Sequence, residues 1–166
     1  METPIQQQNL VDFSRAVRES SLKRFRIVPE GHENWRLTQA SMSIADLAQH
    51  LIHADNWLFQ KLGEPETKAI DGNPGEVTIT DRSEYDALIE ALVATGDRRA
   101  ELLRTITDQT LAERLPDERY GDGEDSSTWW IIVRGNLDHE IHHRGSLAVY
   151  LRVLKEVEAA PIGPLP

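Results

Sequence analysis

The sequence predicts an all-α fold, an antiparallel four-helix bundle, on three observations. Four stretches repeat apolar residues near the 3.6-residue helical period, and no stretch alternates long enough to make a strand. The segments between them are rich in Gly, Pro and Asn, which break helices. At 166 residues the chain can bury one core without a disulfide or metal staple, so a single domain over 1–166 is expected.

The first stretch runs from about Gln7 to Phe25, with Leu10, Phe13, Val17 and Phe25 forming a stripe that Ser21 interrupts, and it ends before Pro29. The connection IVPEGHENWRLTQAS is irregular and carries Trp35 and Arg36, unusual residues for a loop. The second stretch opens with Ser43-Ile-Ala-Asp46, the spacing of a capping box, and runs to about Leu62, where Gly63 stops it. Residues 63–80 hold three glycines and two prolines and read as the longest loop. The third stretch begins near Asp81, with Glu84 completing another box. Its stripe is Tyr85, Leu88, Leu92, Leu102, Leu103 and Ile106, weakened in the middle by Gly96. After LPDERYGDGEDSS, Ser126 or Ser127 caps a fourth stretch from Thr128 to about Val157, and APIGPLP ends it.

Composition removes several functions. The 28 acidic and 18 basic residues leave a net charge of -10, whose field repels phosphate backbones, so no nucleic-acid partner is expected. No eighteen apolar residues stand together and the N-terminus has no basic-then-apolar leader, so no membrane partner and a cytoplasmic location are expected. With no cysteine there is no thiolate ligand or cysteine nucleophile, and thiol chemistry needs an external thiol.

The histidines carry the chemistry. On the fourth helical wheel, with Ile132 at zero, Trp129, Ile132, Leu147, Tyr150 and Leu154 span about 0–60°, and His143 (about 20°) and His139 (about 340°) lie in or beside that arc. His142, at about 280°, lies on its flank. Residues four apart on a helix have Cβ atoms about 5–6 Å apart, from which two imidazoles converge on one cation. On the second wheel, with Ile44 at zero, Leu47, Leu51, Ala54 and Leu58 lie at about 280–340° and His50 at about 240°, the edge of the buried face. His53 falls near 180° and points away, and together with His32 and His142 it reads as a surface or interface residue.

His50, His139 and His143 can therefore bind one divalent metal, leaving open positions for water or a thiol. Asp55 and Glu140 also fall on apolar faces and need partners. Either they orient the ligands or serve as the catalytic base, with Glu140 preferred, or they pair with basic side chains, Arg144 being in reach of Glu140. Trp57, Trp129 and Trp130 read as core or dimer-interface packing, and DGEDSS as a solvated turn whose spacing misses a calcium loop.

The run VPEGHENWR followed by SMSIADLAQHLIHADNW, together with LDHEIHHRGSLAVYLRVL, resembles the DinB-like (DinB/YfiT) superfamily over most of the chain. The resemblance implies an up-down-down-up bundle, frequently a homodimer, with a divalent metal (zinc, nickel or iron) on His50, His139 and His143. It implies thiol-dependent S-transferase or isomerase chemistry with a low-molecular-weight thiol such as bacillithiol or mycothiol. Together with the open metal positions, the expected activity is metal-dependent activation of such a thiol or of water, for transfer to or hydrolysis of a small electrophilic substrate. A non-catalytic metal-binding stress-response protein is the alternative. Many relatives have glutamine after the HRG motif, where this chain has Ser146.

Overall fold

The computed structural model describes residues 5–63, 75–117 and 125–159. In chain order the elements are α1 (Ile5–Phe25), α2 (Ile44–Lys61), α3 (Arg82–Thr105), the short α4 (Asp108–Ala112), β1 (Arg114–Pro116), β2 (Asp125–Ser127), the single turn α5 (Thr128–Trp130), a π-helical stretch (Ile131–Leu137) and α6 (Asp138–Ala159). Part of the loop expected over 63–80, part of the acidic turn and the tail APIGPLP lie outside the described residues. No described helix is long and apolar enough to cross a membrane.

Local chemistry sets the helix starts. Ser43 Oγ accepts from the Asp46 N–H at 3.0 Å and Asp46 Oδ2 accepts from the Ser43 N–H at 2.8 Å, closing the box expected there. At α3 the box is half made. Asp81 accepts from the Glu84 N–H, but the Glu84 carboxylate accepts from Thr80 instead. Ser127, one of the two expected caps, accepts from the Trp130 N–H at 3.2 Å. The β1–β2 ribbon, with Leu115 opposite Ser126, is a small addition to the all-α fold; strands of three residues are too short to show a two-residue period.

The fourth helical stretch is not uniform. The Asp138 N–H reaches back five residues to the Val133 carbonyl, the π pattern. A π residue turns through less than an α residue, so a constant 100° wheel loses phase across this stretch. Trp129, which the wheel puts on the core arc, is accordingly 47% exposed, and its neighbour Trp130 is exposed as well.

Specific contacts give the helix directions. At one end the Gln7 amide donates to the Arg104 and Ile106 carbonyls, and at the other the Tyr85 hydroxyl donates to the Phe25 carbonyl, so α1 and α3 are antiparallel. The Tyr150 hydroxyl on the Met42 carbonyl and the Asn136 amide on the Ala54 carbonyl set α6 against α2 in the same way. One apolar cluster joins Phe25, Leu51, Leu92 and Leu151, and a second joins Leu10, Leu58, Leu103 and Ile132. α1 and α6 thus run one way and α2 and α3 the other, the up-down-down-up order.

The buried face of α1 differs from the expected stripe. Leu10, Val11, Ser14, Val17, Arg18, Ser21, Leu22 and Phe25 are buried, whereas Phe13 is 45% exposed. Ser21 is part of the packed face, its hydroxyl turned onto the Val17 carbonyl. The polar members of this stripe lie between the two apolar clusters, at the height of the candidate site.

Candidate metal centre

His50 comes from the middle of α2, at the edge of its apolar face, and His139 and His143 come from successive turns of α6. His139 Nε2 stands 3.0 Å from His50 Nε2 and 2.9 Å from His143 Nε2. The rings lie 4.5–4.8 Å apart and nearly perpendicular, like three blades around one axis. His50 and His143 are buried, while His139 is partly open to solvent. The three side chains can hold a metal ion.

The donor set fits that use. Three nitrogens each about 2.0–2.1 Å from one tetrahedral zinc stand roughly 3.3 Å apart, a few tenths of an ångström beyond the two separations from His139 Nε2. Ligation requires neutral imidazoles. Burial, then the neighbouring His139 and His53, pushes His50 down to about 4. Burial, then His139 and the other histidines, pushes His143 down to about 3. Both rings are neutral at pH 7, the form that ligates a cation.

These shifts carry a sign. Between pH 6.5 and 4 the unfolded chain protonates His50 and His143 while the folded chain keeps them neutral, so protons favour unfolding. The metal-free protein is expected to lose stability steadily as the pH falls through that window. Thermal melts at half-unit intervals check this, and a melting temperature flat from pH 6.5 to 4 contradicts it.

Beneath the histidines lies a buried polar layer drawn from all four long helices. Arg18 of α1 meets Glu140 through Nε and Nη2, both at 3.0 Å, and Asp55 Oδ2 through Nη2 at 2.7 Å. Arg99 of α3 donates from Nη1 to Asp55 and Glu140, both at 2.8 Å, and to Asn136 at 2.9 Å, and its Nε donates to Ser14 Oγ at 2.9 Å. Burial alone would raise both carboxyls, but Arg99 and Arg18 outweigh it and hold Asp55 and Glu140 below the usual carboxylate range. Two cations and two anions balance, which is how charges persist away from water.

Asp55 and Glu140 are thus engaged by arginines, the pairing expected as one of two alternatives. The partners of Glu140 are Arg18 and Arg99 from other helices, where the sequence offered Arg144 on its own. His53 is a correction, being 4% exposed. Gln49 Nε2 sits 2.7 Å from its Nε2 and the Glu76 carboxylate lies 3.7 Å from its Nδ1. The segment 75–77 covers that face because Asp46 accepts from the Gly75 and Val77 N–H groups. His142 is exposed and His32 half-buried, while Trp57 packs against the second apolar cluster. Trp35 stacks edge-on against Tyr150 at 5.3 Å, and Arg36 pairs with Asp46 at 3.4 Å.

Sequence reasoning missed Arg18 and Arg99. A signal was present, because two carboxylates on apolar faces call for two cations on apolar faces, and Arg18 lies between Ser14 and Ser21 on the α1 stripe. Gly96 belongs to the same device. A Cβ there would come within 2.8 Å of Arg18 Cγ, and the tethered guanidinium keeps that atom from swinging away. Gly96→Ala is therefore expected to lower stability by about 1–3 kcal/mol in urea unfolding, overpacking outweighing alanine's helix propensity; a stabilised variant contradicts this packing.

Comparison with known proteins agrees with this architecture. No curated protein matches the chain. Among solved structures it is similar to a DinB-like protein from Bacillus subtilis, at 20% identity and a TM-score of 0.64 over 95% of each chain. It is also similar to an uncharacterized protein from Clostridium difficile 630, at 10% identity and a TM-score of 0.61 over 89% of this chain and 96% of that one. These likenesses concern the fold. The DinB superfamily pattern itself matches residues 15–147, from α1 through both histidines of α6, and so the chain belongs to the DinB superfamily.

Proposed function

We propose that this protein is a metal-dependent enzyme in which His50, His139 and His143 ligate one divalent cation and a small electrophilic substrate is attacked by water or by a low-molecular-weight thiol. The observation that carries this reading is the convergence of three Nε2 atoms from two helices on one point, with His139 partly open to solvent. When bound, the cation supplies Lewis acidity that promotes loss of a proton from water or thiol. The imidazoles hold it without adding negative charge, which keeps the site electrophilic. An external thiol is required for S-transfer because the chain has no cysteine.

The test is a screen of the metal-loaded protein against bacillithiol-like and simpler thiols, each with a panel of electrophiles, and against activated esters for hydrolysis. Turnover is expected to depend on added metal and to vanish in His50→Ala. Turnover that persists in that variant rejects the mechanism. A second reading, a metal that only stabilises the bundle, draws support from one observation. Asp55 and Glu140, the carboxylates expected as the base, are tied to arginines and so are poor general bases. Metal-dependent melting with no turnover across the panel would favour it.

A further inference from the structure

We infer that Arg18 and Arg99 are positioning residues for the three-histidine site: they lock the rotation of α2 against α6 and so aim His50 at His139 and His143. Metal-binding histidines are ordinarily oriented by a carboxylate or carbonyl on the ring nitrogen that does not bind. His50 Nδ1 is buried and has no hydrogen-bond partner among the described residues, so its aim must come from the helix that carries it.

That helix is held at one point by the two guanidiniums. Asp55, five residues beyond His50, receives Arg18 Nη2 on one oxygen and Arg99 Nη1 on the other. Glu140, directly after His139 and three residues before His143, receives the same two arginines. Asn136 closes the frame, accepting from Arg99 and donating to the Ala54 carbonyl of α2. The helix carrying one ligand and the helix carrying the other two are therefore registered through shared donors rooted in α1 and α3. Ser14 fixes the Arg99 fork from behind, and Gly96 makes room for Arg18.

Arg18 and Arg99 have this role only where the histidines take a metal, as proposed above, and cobalt(II) separates the two claims. The metal-free full chain is titrated with cobalt(II), reading affinity and the visible absorption bands that report coordination geometry. Wild type is expected to bind one equivalent. The paired variant R99M/D55N removes one charge of each sign, leaves Arg18 with Glu140, and frees α2 from Arg99. Exchange of a buried ion pair for neutral residues of similar volume is often neutral for stability, so metal-free melting should stay near wild type. Cobalt affinity should fall about tenfold, the scale seen when outer support of a metal ligand is lost, with altered bands.

Wild-type affinity and bands in R99M/D55N overturn the positioning role. Should that variant not fold, Arg99→Lys carries the test. One ammonium cannot span Asp55, Glu140, Asn136 and Ser14, so weakened binding is expected there, and unchanged binding again overturns the role. A wild type that binds no cobalt overturns the metal reading first.

Discussion

Alanine in place of His139 is expected to abolish stoichiometric binding of zinc or nickel and with it the metal-dependent rise in melting temperature. His139 is the hub of the cluster, its Nε2 being within 3.0 Å of both other imidazoles, and removing it leaves two donors on different helices. At a free metal concentration of a hundred times Kd, the wild type gains about 2.7 kcal/mol from binding. For a domain of this size that is a rise of roughly 5–10 °C. The variant should show no rise, while His142→Ala, which alters the exposed neighbour, should keep it. Scanning calorimetry with and without metal, alongside elemental analysis of the purified proteins, decides the matter. A variant that still binds one equivalent with wild-type affinity removes His139 from the site.

The largest loss of stability is expected at Glu140. Glu140→Ala deletes the carboxylate that faces Arg18 Nε and Nη2 and Arg99 Nη1, leaving two buried guanidiniums to share Asp55. Breaking one side of a buried ion network costs about 3–5 kcal/mol, because two desolvated positive charges are left with one counterion and no water to make up the difference. The melting temperature should fall by roughly 10 °C or more. Glu140→Gln, which keeps an acceptor and the volume, should lose less. Urea unfolding of both variants measures the difference, and a loss under about 1 kcal/mol in Glu140→Ala would mean that the network contributes little net stability.

The long helices and the faces on which His50, His139 and His143 lie were legible because each rests on local periodicity. The i, i+4 spacing of His139 and His143 places them on one face whatever lies elsewhere in the chain. What periodicity could not carry was anything set by another segment. His53 is covered by residues 75–77, whose path depends on Asp46 and not on any pattern of their own. Trp129 was misplaced because a wheel of constant pitch was drawn through seven π residues. Arg18 and Arg99 escaped notice because arginine on an apolar stripe reads as solvated until its counterion is found on a distant helix, 122 residues away in the case of Arg18 and Glu140.

The polar layer at mid-height divides the hydrocarbon interior of this bundle into two compartments, one containing Phe25, Tyr85 and Leu147 and the other Leu10, Leu103 and Ile131. A change of side-chain volume in one compartment meets guanidinium and carboxylate groups before it meets the other, so it has no continuous path of apolar neighbours along which to spread. The energetic costs of substitutions in the two halves should therefore sum independently, as though they belonged to separate small proteins sharing one backbone.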